Sequence, residues 1–322
     1  MSTDFAALAD PFRGELLAHC YRLLGSIHDA EDVVQDTYVR AWRGYERFEG
    51  RSSLRRWLYT IATRTCLTAL ERAARRPLPS GLGAPSDDHR VALAPATEDV
   101  PWLQPLPDAL LEADGADPAS VVAARAGIRL AFVAALQHLP ARQRAVLILR
   151  EVLAWPAADV AGMLGTSVAG VNSALQRARA HLRDLALIAD EVVEPAGEHG
   201  LLDRYVAAFE RADVDRLADL VRADVELEMP PIPTWFTGRD AVLGFLASRV
   251  LRRPALWRLT PITANGQPAA VVYERHADGT FVPHGLEVLT LVGGRIARIT
   301  AFNDAQLVTI GTRKGRIGTP PM

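Results

Sequence analysis

Residues 139–183 carry amide and guanidinium side chains at a spacing that suits the reading of DNA bases. Gly165 can adopt the left-handed conformation that ends a helix, and Thr166 and Ser167 can cap the helix that follows. The turn is therefore about three residues long, as in a helix-turn-helix. In the second helix the apolar residues that recur at helical spacing are expected to face inward: Val168, Val171, Leu175, Ala178 and Leu182.

The outer face of this second helix is left with polar side chains. They are Asn172, Ser173, Gln176, Arg177 and Arg179. In the major groove Arg binds guanine or phosphate, while Asn and Gln bind adenine. The pattern thus predicts a helix that reads duplex DNA. The alternative is an ordinary helical hairpin with a solvated basic face.

A second stretch with nucleic-acid chemistry runs from Arg47 to Arg76, where Ser52 or Ser53 is expected to cap a helix. Its arginines include Arg51, Arg55, Arg56 and Arg64. Guanidinium groups hold phosphates and exposed aromatic rings stack on bases, which together suit single-stranded or opened DNA. Trp57 and Tyr59 are the stacking candidates, and core packing is an equal alternative for either ring.

The composition is that of a soluble globular protein with two or three domains. The chain has 322 residues, 49% of them hydrophobic and 23% charged, and a formal net charge of −2, so any DNA contact must come from local patches. Cys20 and Cys66 lie far apart in sequence and belong to no metal-binding motif, which favours buried free thiols. We expect no metal, no cofactor and no membrane segment, and a cytoplasmic location.

An acidic helix is predicted around residues 29–42. One face repeats apolar residues that are expected to be buried, ending at Trp42. The opposite face carries Asp32, Gln35 and Asp36. Such a face can dock on a basic helical partner or simply be hydrated, and the charges alone favour hydration.

Three blocks in this order resemble a bacterial sigma-70 family RNA polymerase sigma factor of the extracytoplasmic-function class. They are DAEDVVQDTYVRAW, FEGRSSLRRWLYTIATRTCL, and LPARQRAVLILREVL with the helix-turn-helix. The resemblance implies that the chain binds the β′ and β subunits of the polymerase core, with Asp32, Gln35 and Asp36 on the contacting face. It also implies that the Arg51–Arg76 helix melts and reads the downstream (−10) promoter element.

By the same resemblance the helix of residues 168–183, with Ser167 before it, reads the upstream (−35) element. Arg64 and Thr68 stand where relatives commonly have Asn and Asp, so the identity of the −10 bases does not carry over. The predicted architecture is multidomain, with all-α sigma region 2 at 1–76 and all-α sigma region 4 at 119–189. Between them, residues 77–118 are rich in Pro, Gly, Ala and Asp, which predicts a flexible acidic linker. A single amphipathic helix is expected over 119–138.

The remaining residues predict an α+β domain at 199–305, followed by a tail at 306–322. Helices are followed by strand-like runs, with Gly293-Gly294 between the last two as a hairpin turn. The pattern resembles the SnoaL-like, ketosteroid-isomerase-like cone fold. Its candidate pocket residues are Asp203, Tyr205, Trp235, Phe236, Trp257 and His284. Ligand sensing or contact with the rest of the chain is favoured over catalysis, and no catalytic residue is assigned.

The leading hypothesis is a sigma factor that binds RNA polymerase core and directs promoter-specific initiation, with the C-terminal domain regulating it. The alternative is a ketosteroid-isomerase-like enzyme or ligand sensor fused to a stand-alone helix-turn-helix regulator.

Overall fold

The computed structural model describes residues 2–48, 53–71, 73–97, 99–112, 124–184 and 198–312. The chain divides into two compact units. The first consists of residues 1–76 and 110–189, and the second of residues 77–109 and 190–322. Residues 185–197, the tail beyond 312 and the start of the helix expected at 119 fall outside the described residues.

The first unit is helical. Its helices are α1 (Ser2–Ala9), α2 (Arg13–Leu24), α3 (Ile27–Gly44), α4 (Leu54–Leu70), α5 (Leu130–Leu136), α6 (Ala141–Leu147), α7 (Ala157–Leu164) and α8 (Val168–Asp184). Local chemistry sets several of these bounds. Gly25, with φ +70°, ends α2. Ser26 Oγ accepts the amide of Asp29 at 3.1 Å at the start of α3, and Ser53 Oγ accepts the amide of Arg56 at 3.3 Å at the start of α4.

Two buried arginines join the helical segments of the first unit. Arg22 of α2 donates from Nη2 to the carbonyl oxygen of Ala124 at 2.8 Å and to that of Ala126. Arg144 of α6 donates from Nη1 to the carbonyl oxygen of Leu23. Burial lowers the pKa of both guanidinium groups to about 10, so both remain charged at neutral pH. Several carbonyl acceptors offset the cost of removing these charges from water.

The continuous helix expected over residues 119–138 is wrong within the described residues. The chain turns at Gly127, which has φ +60°, and α5 begins only at Leu130. Because Arg22 binds the carbonyl oxygens of Ala124 and Ala126, these groups face the guanidinium instead of continuing a helical ladder. The amphipathic pattern was nevertheless a correct sign of burial, since Ile128 lies in the core.

The second unit is α+β, as predicted. Its elements are α9 (Glu198–Glu210), α10 (Val214–Leu220), β1 (Val221–Met229), β2 (Ile232–Thr237), α11 (Arg239–Phe245), β3 (Trp257–Ala264), β4 (Gln267–Arg275), β5 (Phe281–Val292), β6 (Arg295–Phe302) and α12 (Ala305–Thr312). Within the described residues the strands form one sheet in the order β2-β1-β6-β5-β4-β3. The β1–β6 pair is parallel and the other pairs are antiparallel.

Local sequence predicts the last hairpin of the sheet but not strand β2. Gly293 and Gly294, with φ +58° and +72°, form the predicted hairpin between β5 and β6. Strand β2 was missed because it lies in a proline-rich stretch and contains Pro233. A proline is tolerated there because β2 is at the edge of the sheet, where a missing amide breaks no ladder.

Residues 77–109 are not the flexible tether predicted for 77–118. Their described part packs within the second unit and borders both edge strands of the sheet. Ser86 forms a parallel bridge with Phe236 of β2, and Pro107 forms an antiparallel bridge with Ala264 of β3. The edge strands of a sheet expose unpaired main-chain donors and acceptors. The extended segment of residues 77–109 covers part of both edges.

Polar side chains of the sheet hold this segment by its backbone. The buried Glu228 accepts the amide of Ser80 at 2.9 Å, and the buried Asn265 accepts the amide of Leu106 at 2.8 Å. The indole of Trp235 donates to the carbonyl of Gly83 at 2.9 Å. Each bond satisfies a main-chain group that a mobile tether would leave to water.

Candidate functional site

The helix-turn-helix has the predicted local geometry. Helix α7 ends at Leu164, and Gly165 adopts φ +61°. Three residues, Gly165 to Ser167, separate α7 from α8. Ser167 Oγ accepts the amide of Gly170 at 3.1 Å and thereby caps α8. This turn length brings the second helix across the first, the arrangement that presents α8 to a groove.

The outer face of α8 presents the predicted polar residues to solvent. All of these side chains are exposed: Ser167, Asn172, Ser173, Gln176, Arg177 and Arg179. Arg177 donates to Ser173 Oγ at 2.7 Å, and Arg179 pairs with Glu151 at 2.6 Å. Val171, Leu175 and Ala178 are buried as predicted, whereas Val168 is 45% exposed and its predicted inward position is wrong. It lies at the first turn, before α8 packs against its neighbours.

Arg55 and Tyr59 of α4, predicted to contact −10 DNA, both bind Glu15 of α2; Tyr59 is buried, whereas the side chain of Arg55 is 36% exposed. Both carboxylate oxygens of Glu15 accept from Arg55 Nε, at 2.9 and 2.8 Å, and Tyr59 donates to Glu15 Oε2 at 3.2 Å. The hydrogen bond to Glu15 raises the pKa of Arg55, and burial raises the pKa of Tyr59. Tyr59 is completely buried, so its ring offers no surface to a base. Helical spacing did not reveal that Glu15 would face this pair.

Arg56, Trp57 and Arg64 remain at the edge of α4. The ring of Trp57 is half-buried and stacks on Phe48 with centroids 4.8 Å apart. Arg56 forms an ion pair with Asp159 of α7. Arg64 donates from Nε to the carbonyl oxygen of Met163, also in α7, at 3.1 Å. The predicted contact Arg51 lies outside the described residues.

The basic edge of α4 is therefore in contact with the first helix of the helix-turn-helix. A cavity of about 540 Å³ lies beside these contacts and is lined partly by Arg64, Leu67 and Arg142. The contacts with α7 engage the guanidinium groups of both Arg56 and Arg64.

The acidic face of α3 is exposed and also carries apolar side chains. Asp32 and Gln35 are exposed, and Asp36 pairs with Arg40 at 2.9 Å. Trp42 is 54% exposed and Val39 is 41% exposed, so the predicted burial of Trp42 is wrong. These residues recur at helical spacing and form one stripe on α3. Exposed aromatic and aliphatic side chains in one stripe are typical of a protein-binding surface.

The second unit contains a cavity that is lined by only some of the predicted pocket residues. Tyr205, Trp257 and His284 line a cavity of about 260 Å³. Asp203 is exposed on α9 and does not line it. Neither Trp235 nor Phe236 lines it. The indole of Trp235 donates to the carbonyl oxygen of Gly83, and Phe236 is buried against Phe245 with ring centroids 4.8 Å apart.

Glu287 also lines this cavity and was not among the predicted pocket residues. Tyr205 donates its hydroxyl to Glu287 Oε2 at 3.0 Å, and burial raises the pKa of Glu287 to about 7. A signal was present in β5, where Glu287 occupies the same alternating face as the buried Leu289 and Leu291. A carboxyl group at this pKa can donate or accept a hydrogen bond near neutral pH.

Within the described residues no group of three or more His, Cys, Asp or Glu side chains could hold a metal ion. Cys20 and Cys66 are buried free thiols. Among the same residues no helix combines the length and apolarity that crossing a bilayer requires.

Comparison with known families accounts for both units. Residues 8–76 match Sigma-70 region 2, residues 129–182 match Sigma-70 region 4, and residues 202–299 match the SnoaL-like domain. The ECF RNA polymerase sigma factor SigG of Mycobacterium tuberculosis (strain ATCC 25618 / H37Rv) is 50% identical over 308 residues, covering 94% of this chain and 82% of that protein.

A second relative extends the similarity to a solved fold. The ECF RNA polymerase sigma factor SigJ of the same strain is 29% identical over 257 residues, covering 78% of this chain and 73% of that protein. The crystal structure of Mycobacterium tuberculosis SigJ matches with a TM-score of 0.61 at 23% identity, covering 98% of this chain and 100% of that one. The order of helical segments and α+β domain is therefore shared along the chain.

Proposed function

Because the chain belongs to the extracytoplasmic-function RNA polymerase sigma factors, the family its sequence resembles, we propose that three surfaces of the first unit hold core polymerase and the two promoter elements. As a sigma factor the chain directs promoter-specific transcription initiation. The assignment of surfaces rests on the exposed polar face of α8, which follows a three-residue turn. The relatives give no support to the alternative of an enzyme with a stand-alone DNA-binding module.

Helix α8 reads the −35 element in the major groove. Asn172 and Gln176 supply amides that match adenine, and Arg177 supplies a guanidinium for guanine or phosphate. Ser167, Ser173 and Arg179 flank them as phosphate contacts. Alanine at Asn172 or Gln176 is expected to reduce transcription from a −35-dependent promoter by about tenfold or more. His181→Ala, exposed in the last turn of α8, is the matched control and is expected to retain activity.

The edge of α4 binds the opened −10 element through Arg56, Trp57 and Arg64. Arg55 and Tyr59 act indirectly, because their bonds to Glu15 fix α4 against α2. Promoter elements about 25 base pairs apart span roughly 85 Å at about 3.4 Å per base pair. Since Arg56 and Arg64 contact α7, this closed arrangement must open before both elements are bound.

The stripe on α3 binds core polymerase. Asp32, Gln35 and Asp36 supply its polar contacts, and the exposed Val39 and Trp42 supply its apolar contacts. A tryptophan on the same helical stripe as two carboxylates suits a basic helical partner, which we assign to the β′ subunit. Region 4 contacts the β subunit. Trp42→Ala is expected to weaken holoenzyme formation more than Arg43→Ala, which changes an exposed neighbour.

The C-terminal domain regulates the promoter-binding segments. The chain between α4 and α5 includes residues 77–109, which are folded on the sheet of the second unit. A change in that domain therefore acts on the segment that links region 2 to region 4. We assign this domain a binding role and no reaction, and we place the protein in the cytoplasm with the polymerase.

The test compares the full chain with a chain cut after Ala189 in transcription by purified core polymerase, with sequencing of RNA start sites. Both forms are expected to use the same promoters with different yields. Absence of promoter-directed transcripts from both forms contradicts the proposed surfaces. Equal yields from both forms contradict regulation by the C-terminal domain while leaving the promoter contacts intact.

A further inference from the structure

The cavity of the second unit combines an apolar lining with one buried carboxyl group. Its volume is about 260 Å³, equal to roughly nine water molecules at about 30 Å³ each. The lining includes the aromatic side chains of Phe209, Phe245 and Trp257. A largely apolar cavity with a few polar groups is the usual form of a small-molecule site.

Strand register leaves space in front of Glu287. Its neighbours across the sheet are Ala270 on β4 and Ala301 on β6. Because side chains at paired positions share a face, two small methyl groups flank the carboxyl group. Tyr205 approaches from α9 and donates to Oε2 at 3.0 Å. Larger side chains at the two alanine positions would fill this space.

Residues 90–97 contribute to the lining and are held by hydrogen bonds at both ends. Arg249 donates from Nη2 to the carbonyl oxygens of Arg90 at 3.0 Å and Val91 at 2.8 Å. The amide of Ala94 donates to Thr234 Oγ1 at 2.8 Å. The amide of Thr97 donates to the carbonyl oxygen of Pro231 at 3.1 Å. Leu93 lies between these bonds and lines the cavity.

We propose that this cavity binds an uncharged, largely apolar molecule of about ten non-hydrogen atoms that carries one hydroxyl group, which bonds to Glu287 under a cover formed by Leu93. This proposal deepens the regulatory role assigned to the C-terminal domain and rests on that role for its consequence in transcription. Binding itself is tested independently of transcription.

The charges around the cavity select this class of ligand. Burial raises the pKa of Glu287 to about 7, so a hydroxyl group, which both donates and accepts, matches either protonation state. A ligand carboxylate would place a like charge beside Glu287. Arg249 brings a positive charge to the lining and disfavours a cationic ligand. Tyr205 and His284 are the other titratable groups that line the cavity.

The first experiment measures binding of four probes that share one ring system to the full chain by calorimetry at pH 8. The probes are 2-naphthol, naphthalene, 2-naphthoate and 2-naphthylmethylammonium. We expect 2-naphthol to bind about fivefold to tenfold more tightly than naphthalene, the contribution of one hydrogen bond. We expect 2-naphthoate and the ammonium probe to bind more weakly than 2-naphthol. Equal binding of 2-naphthol and naphthalene, or tightest binding by either charged probe, overturns the proposed class.

Variants locate the bound probe. Glu287→Gln keeps an acceptor for Tyr205 and is expected to retain 2-naphthol while binding 2-naphthoate more tightly than the parent chain does. Leu93→Trp fills the cavity from a partly exposed position and is expected to abolish binding without altering the far-ultraviolet circular dichroism spectrum. Binding that is unchanged in both variants overturns the site.

Hydrogen exchange tests the cover. The cavity exists with Leu93 in place, so a ligand beneath it adds contacts to residues 90–97. Saturation with 2-naphthol is therefore expected to slow exchange of the amides of Ala94 and Thr97. Unchanged or faster exchange overturns the role of Leu93. If binding and protection occur but transcription is unaffected, the site stands and the proposed regulation fails.

Discussion

Replacing Glu287 by glutamine is expected to stabilise the second unit at alkaline pH. Burial raises the pKa of Glu287 from 4.5 to about 7. Between these pH values the folded chain holds a proton that the unfolded chain releases, so the free energy of unfolding falls as pH rises through this window and levels above it. The shift corresponds to roughly 3 kcal/mol, at about 1.36 kcal/mol per pKa unit.

The neutral amide of Glu287→Gln avoids this loss and retains an oxygen that accepts from Tyr205. At pH 8 the melting temperature of the second unit is expected to rise by about 6–12 °C, whereas at pH 4 the variant should match the parent chain closely. Scanning calorimetry of the full chain measures this shift, with exchange of β4 and β5 amides assigning the transition. Asp203→Asn, on the exposed face of α9, is the control. A variant that melts at or below the parent temperature at pH 8 would refute the reasoning.

Three further perturbations probe the packing that the structure shows. Burial, with the nearby Arg22 charge, lowers the pKa of His19 to about 3, so the first unit loses stability as pH falls from 6.5. In His19→Gln the free energy of unfolding, measured with urea, should depend less on pH over this range. Asp159→Asn removes a partly exposed ion pair worth at most about 1 kcal/mol, so affinity for core polymerase, measured by biolayer interferometry, should rise by up to about fivefold as the closed arrangement weakens. A Cβ at Gly244 would lie 2.6 Å from His89 Nδ1, so Gly244→Ala should speed amide exchange around residue 89.

Each of these perturbations has a contrary outcome. An unchanged pH slope in the His19 variant would mean that the imidazole is hydrated in the folded chain. Unchanged or weaker core binding by the Asp159 variant would mean that the contact between α4 and α7 does not oppose holoenzyme formation. Gly83→Ala, whose added Cβ meets nothing within 4 Å, controls for Gly244→Ala. Equal exchange in the two glycine variants would contradict the docking of residues 77–109.

Local sequence signals were sufficient for the family and for much of the secondary structure. Gly165 ends α7 and Gly293-Gly294 turns β5 into β6, because a left-handed backbone conformation at such positions favours glycine strongly. The polar face of α8 followed from helical periodicity, which places Asn172 and Gln176 on the side opposite Val171. These features depend on residues within one or two turns of each other.

The inward or outward position of single residues was less secure where neighbours distant in the chain decide it. The sequence left Tyr59 equally suited to base stacking and to core packing. In the structure its hydroxyl donates a hydrogen bond to Glu15 of α2 within the core. Trp42 continues the apolar spacing of α3 yet lies exposed. Periodicity identifies a face of a helix, but it does not state how far along that face the packing extends.

Patterns that are local along the chain predicted the order of the helical segments and the α+β domain, the helix-turn-helix and the family. Long-range packing places residues 77–109 along both edges of the sheet and Glu287 in a cavity beside Tyr205. The reason is that both depend on pairings between residues separated by tens of positions or more, such as Ser86 with Phe236 and Tyr205 with Glu287. Composition and periodicity contain no record of such pairings.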